Sequence, residues 1–167
     1  MHPARMYSRP LLPDGQRPPD TFSGPGFFAR PLLLADAEAD FEAVMASTAR
    51  LRGGMDPDST WPDGLTLHEN RVDLGWHERE FTQGHSYAWT VVAPTGAPTI
   101  GCAYLYPSDR MGHDAMAFWW LRPEADEFAP DFDEAFRALV AELPLSTAFP
   151  GRDIAWDEWL ALPKAFR

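Results

Sequence analysis

His113 and Asp114 stand side by side just ahead of an apolar run, DAMAFWWLRP (Asp114–Pro123). An imidazole beside a carboxylate can take and pass a proton, so His113 is a candidate general base; turn chemistry explains the same two residues. Glu69, Asp73, His77 and Glu80 recur at helical spacing. Such a row is ordinarily a solvated face, and it is also a place for a general base. The run TIGCAYLYP (Thr99–Pro107) sets Cys102, Tyr104 and Tyr106 on alternate positions, so the three side chains share one side of an extended strand. Sheet packing accounts for them. The functional alternative is a Tyr104 hydroxyl lining a cleft, with Tyr106 beside it. Trp61, in a loop with Pro62 and Gly64, is harder to explain as core and is a candidate for covering a substrate cleft or a subunit contact.

Other chemistry is excluded by pattern. His77 lies nine residues from His68 and eight from His85, which is no compact zinc spacing on one helix face, so no metal site is expected. A single cysteine rules out an internal disulfide and a multi-cysteine zinc site, and Cys102 inside a strand reads as a buried, inert thiol. There is no G-x-S-x-G elbow, no P-loop and no G-x-G-x-x-G. The net charge of −11 would repel a phosphate backbone, which argues against nucleic acid as a partner. No apolar run is long enough to span a membrane, and the first residues, with Pro3, Pro10 and Pro13, lack the apolar region of a secretory signal. A cytoplasmic protein is the expectation, with a small molecule or a protein as partner.

The scaffold beneath these residues is legible from periodicity. At 167 residues and 45% apolar content the chain suits one folded domain. Met1–Gly26 reads as a Pro/Gly-rich arm, and residues 27–167 as the domain. A strand is predicted over Phe27–Leu33, at an edge because of Pro31. Asp36 reads as the N-cap of a helix burying Phe41, Val44, Met45 and Leu51, ended by Gly53-Gly54. Thr66-x-x-Glu69 reads as a capping box opening a helix that buries Leu67, Leu74 and Phe81, leaves Arg71, Glu78, Arg79 and Glu80 solvated, and stops at Gly84. Strands are predicted next at Ser86–Val92, Thr99–Pro107 and Asp114–Pro123. The third is apolar on both faces and belongs inside a sheet. Asp131–Leu143 is an amphipathic helix, Leu145–Phe149 a short strand, and Trp156, Trp159 and Leu160 a last helical turn. Short links make the three strands antiparallel, and the strand–helix–strand step makes the last pair parallel.

This order, with RPLLLADAEADFEAVMAS as first strand and helix, HSYAWTVVAPTGAPTIGCAYLYP as the next two strands and FWWLRP (Phe118–Pro123) closing the third with Leu121 and Pro123 in register, resembles the GNAT N-acetyltransferase superfamily over roughly Phe27–Phe149. The resemblance implies an α/β acyl-CoA N-acyltransferase fold, with a mixed central sheet and helices on both faces. It implies acetyl-CoA as cofactor, with pantetheine pairing to backbone at Trp119, Trp120 and Leu121. The pyrophosphate would lie near Arg122, Phe128 and Ala129, where a glycine-rich loop opens the next helix. Here that stretch is EADEFAPD (Glu124–Asp131), with no glycine and with carboxylates at Glu124, Asp126 and Glu127 beside the expected pyrophosphate. The resemblance also places the Glu69–Glu80 helix beside the acceptor cleft. The expected activity is acetyl-CoA-dependent N-acetyl transfer to an unknown acceptor. The alternatives are a non-catalytic GNAT-like module binding a small ligand or protein, and a homodimer joined through an edge strand, aromatic loops or the arm.

Overall fold

Thr99–Pro107 (β4) is the longest strand, and all of it is buried, because it lies mid-sheet under helices on both faces. The computed structural model describes residues 9–165; the first eight residues of the expected arm, Pro3 among them, lie outside the described residues. Tyr87–Val92 (β3) and Ala115–Leu121 (β5) flank β4, both antiparallel. Phe27–Pro31 (β2) and Phe22–Gly24 (β1) extend the sheet on one side, and Thr147–Ala148 (β6) closes it on the other. The spatial order is β1-β2-β3-β4-β5-β6, with β6 alone running parallel to its neighbour. The third predicted strand therefore sits inside the sheet, as its two apolar faces require.

Helices cover both faces. Ala37–Ala46 (α1), Thr48–Leu51 (α2), Leu67–Gln83 (α3) and Trp156–Ala161 (α5) bring Val44, Leu51, Leu74 and Trp159 against Cys102, Tyr104, Phe118 and Trp120. Ala129–Ala141 (α4) covers the other face, where Phe132 and Phe136 pack with Phe27, Trp89 and Leu121. Each of those phenylalanines, fully buried, contributes about 1.5–3 kcal/mol. The capping box forms: Thr66 Oγ1 accepts the Glu69 N–H, and Glu69 Oε2 accepts the Thr66 N–H. Gly84 ends α3 in the left-handed region, at φ 74°.

Several local expectations differ. Asp36 does not cap α1. Its carboxylate instead accepts both Arg30 guanidinium nitrogens, at 2.9 and 2.7 Å, and the Leu33 N–H at 2.9 Å. Met45 is exposed and Phe41 half-buried, while Val44 and Leu51 carry the packing. Glu80 is fully buried rather than solvated, paired with Arg79 at 2.6 Å and within 3.5 Å of His85. The predicted loop before α4 is a 3-10 helix, Pro123–Phe128, running straight into it. Within the stretch read as an arm, Leu11 and Leu12 are buried in the α4-side core and the Asp20 backbone carbonyl accepts the Trp89 indole N–H at 3.1 Å. Proline and glycine set the chain direction there without preventing burial.

Candidate functional site

α3 is the element that builds the first cavity. Its capped start fixes the rotation of the helix, so Asn70, Asp73 and His77 all face α1 and β4. Asn70 donates to the Ala37 carbonyl at 3.1 Å and to Asp40 Oδ2 at 2.9 Å. The Cys102 thiol donates to Asp40 Oδ1 at 3.3 Å. Burial pushes the Asp40 carboxyl up, against these hydrogen bonds, and pushes the Cys102 thiol well above its ordinary value. Tyr104 and Tyr106 stack with centroids 5.7 Å apart, and the His77 ring lies 5.7 Å from Tyr104. The Tyr104 hydroxyl accepts the Trp120 indole N–H at 3.2 Å, and burial raises its pKa well above that of a free phenol. Asp40, Asn70, His77, Tyr104 and Tyr106, together with Trp61, Met55 and Asp73, line a cavity of about 30 Å³. Asp73 is half-buried; desolvation first, and the Asp40 and Glu69 carboxylates after it, push it up to about 6.

The second cavity arises because β5 outlasts β6. The two strands pair only at Ala115↔Thr147 and Met116↔Ala148, while β5 continues to Leu121. Their separation leaves the Trp119 and Leu121 carbonyls facing a cleft of about 270 Å³. Two arginines reach them. Arg152 donates to the Trp119 carbonyl at 3.1 Å and lies over the Trp119 ring, 3.7 Å from its centroid. Arg50 donates to the Leu121 carbonyl at 2.8 Å and grips Asp126 at 2.5 and 2.9 Å. Met55 lines this cleft as well as the polar pocket, so the two cavities are neighbours.

The expected residues divide accordingly. Trp119, Trp120, Leu121 and Ala129 line the cleft. Arg122 does not, because Glu42 at 2.9 and 3.0 Å and Glu124 at 3.1 Å hold its guanidinium elsewhere. Phe128 does not either; its ring packs on the α4-side core against Gly26. Trp61, Tyr104 and Tyr106 line the polar pocket. His113 packs on Trp159 and lines neither cavity. Sequence reasoning missed Asp40, Arg50 and Arg152. Asp40 had a legible signal, a carboxylate at helical spacing with Ala37, Ala43 and Val44 on a buried face. The arginines had none, since their partners are 71 and 33 residues away. Among the described residues there is no group of three or more potential metal ligands, and no helix is long and apolar enough to cross a membrane.

The cleft fits an acyl-CoA in part. Two strand-edge carbonyls suit the amides of a pantetheine arm, and Arg50 and Arg152 suit phosphate oxygens. Where a glycine-rich loop would offer free amides, the 3-10 helix Pro123–Phe128 carries Glu124 and Asp126 and α4 opens on Ala129 and Pro130.

No family model matches the chain, and no curated protein matches it in sequence. Solved structures do match its fold. One is RimL, a ribosomal L7/L12 alpha-N-protein acetyltransferase in complex with coenzyme A, at 16% identity and TM-score 0.57 over 71% of this chain and 63% of that one. Another is the acetyltransferase from Salmonella typhimurium that modifies the N-terminal serine of L7/L12, at 12% identity and TM-score 0.55 over 71% and 65%. A third is the ribosomal-protein-S5-alanine acetyltransferase from Vibrio fischeri, at 15% identity and TM-score 0.53 over 84% and 80%. The fold is that of the GNAT acyl-CoA N-acyltransferases, a mixed α/β sheet with helices on both faces.

Proposed function

We propose that the chain is an acyl-CoA-dependent N-acyltransferase, with acetyl-CoA along β5 and an amine acceptor in the polar pocket between α1, α3 and β4. The observation that carries this reading is the sharing of Met55 by the two cavities, which sets the thioester side next to the amine side. When bound, the cofactor supplies the activated acyl group. The chain's own contribution is placement: the Trp119 and Leu121 carbonyls accept from the pantetheine amides once the guanidiniums leave them, and Arg50 and Arg152 turn to the phosphates. The polar pocket supplies carboxyl groups at Asp40 and Asp73 to orient the acceptor. On this reading the partner is a small molecule rather than nucleic acid or membrane, in keeping with the net charge of −11.

A second reading, a non-catalytic GNAT-fold module, draws on the arginines that already occupy those carbonyls. Isothermal titration with acetyl-CoA and with free CoA at moderate salt separates the two. Saturable micromolar binding is the expected result. No heat at millimolar cofactor leaves the module.

A further inference from the structure

Arg50 and Arg152 both close the cleft beside β5, but they are held differently. The Trp119 and Leu121 carbonyls stand two residues apart on one strand edge, about 7 Å from each other, beyond the residues that β6 pairs. Arg50 covers the second and is also gripped by Asp126 at 2.5 and 2.9 Å. Arg152 covers the first at 3.1 Å, its guanidinium 3.7 Å from the centre of the Trp119 ring. Arg152 forms no ion pair with a described residue. The nearby Asp133 and Asp153 carboxylates bind Arg137 instead, at 2.8 Å and at 2.7 and 2.9 Å. They attract Arg152 only from farther off, and the Arg137 charge bonded to both repels it.

The turn that carries Arg152 sets it over the ring. The Arg152 and Asp153 N–H groups donate to the Phe149 carbonyl at 3.1 and 2.9 Å, and the Gly151 N–H donates to the Ile154 carbonyl at 2.8 Å. Arg137 ties this turn to α4 through Asp153, and its other partner, Asp133, accepts the Trp119 indole N–H at 2.9 Å. Ring and turn are thus fixed to the same helix. Only the exposed Arg152 side chain between them is free to exchange its partner.

That exchange is favourable for one kind of ligand. A carbonyl is a neutral acceptor, and a cation over an aromatic ring at an exposed site gains little more. A phosphate oxygen is charged, takes the guanidinium in a two-pronged grip, and makes bonds roughly twice as strong. A ligand with amides alone must evict the cation from the Trp119 carbonyl and offer it nothing. A ligand that carries amides and a phosphate gives the cation a better acceptor as it takes the carbonyl. We propose that Arg152 is a specificity gate: it shuts the Trp119 carbonyl to phosphate-free pantetheine compounds and yields it to phosphate-bearing ones. This rests on the acyltransferase reading, and adds to it selection at the strand edge itself. The competing account is a cation that merely caps an unpaired sheet edge.

The test is calorimetry with CoA and with free pantetheine on the full chain, as wild type and as Arg152→Ala. Arg152→Ala should tighten pantetheine at least about tenfold, or about 1.4 kcal/mol, the carbonyl no longer being held by a charged donor. CoA should not tighten alongside it, because the variant loses a phosphate contact together with the block. The substitution lies on an exposed turn, so the melt should match that of the wild type. A second readout needs no variant protein to bind. The NMR signal of the wild-type Arg152 guanidinium, shielded by the Trp119 ring, should move on adding CoA and stay in place with pantetheine at the same concentration. A signal unmoved by saturating CoA, or a pantetheine affinity equal in wild type and variant, overturns the gate. Equal affinity with a lowered melt is the pattern of the edge cap. If CoA binds and the gate fails, the acyltransferase reading stands. If neither CoA nor pantetheine binds either form, that reading falls and the gate falls with it.

Discussion

The two neighbouring cavities treat charge in opposite ways. In the cleft beside β5 the charged groups are paired: Arg50 with Asp126 and the Leu121 carbonyl, Arg152 with the Trp119 carbonyl and ring. In the polar pocket the carboxyl of Asp73 is drawn out of water, and among the described residues no Lys or Arg lines it. A satisfied site is stable as it stands and must break contacts to bind. A carboxyl drawn out of water carries a cost that shows as a raised pKa, and displaced pKa values gather at functional sites. The fold builds the first with long-range arginines and the second where α1, α3 and β4 meet.

The harshest perturbation damages one cavity's floor and spares the other. Gly101 on β4 lies against β5, and a Cβ there would come within 2.1 Å of the Trp120 carbonyl oxygen and 2.9 Å of Leu121 Cα. Both are backbone, so Gly101→Ala must push β5 outward where the cleft begins, at a cost of about 1–3 kcal/mol or more. Urea melts should show that loss, and CoA binding should go with it. An unchanged midpoint would mean that the strands yield there freely.

A gentler substitution probes the other side. Asp73 binds its proton more tightly folded, near 6, than at the ordinary 3.8, so its contribution favours the fold below about pH 4 and is lost as pH rises through 6. Above that, the carboxylate is a burden. The full shift would correspond to about 3 kcal/mol; solvent at this half-buried site reduces it to about 1–2 kcal/mol. Asp73→Asn should therefore melt higher than wild type at pH 8, with the gap closing toward pH 4. A gap that does not change across that window would show that Asp73 titrates as an ordinary carboxylate.

The same contrast decides what could be read from the chain. Period and capping made β3, β4, β5 and α3 legible, because they rest on local rules: alternating apolar residues, Thr66 with Glu69, Gly84 at the end. Tyr104, Tyr106 and Trp61 could be named because strand alternation and an odd tryptophan are visible in one dimension. The burial of Glu80 was not visible, since helical spacing alone does not say how far a neighbouring loop covers a face. Sequence proximity sets Arg122 beside the expected phosphates, yet Glu42, 80 residues away, holds its guanidinium. Arg50 and Arg152 reach the cleft only because the chain closes around it. Charge pairing is set by three-dimensional neighbours, and a paired site leaves little trace in local pattern.

The mildest change is the most discriminating within the cleft. The 3-10 helix ahead of α4 carries Glu124 and Asp126, both exposed, and local charge alone would treat them alike. The structure does not. Asp126 holds Arg50, which in turn donates to the Leu121 carbonyl inside the cleft, whereas Glu124 holds Arg122, which faces Glu42 outside it. Asp126→Asn should release Arg50 as a free cation and tighten CoA several-fold, since a guanidinium bonds phosphate best when no carboxylate competes. Glu124→Gln should leave CoA affinity within error, the lost charge being screened and turned away. Titration of both variants at two salt concentrations reads the difference. Equal tightening would mean that a diffuse acidic field, not a specific arginine clasp, is what guards the cleft.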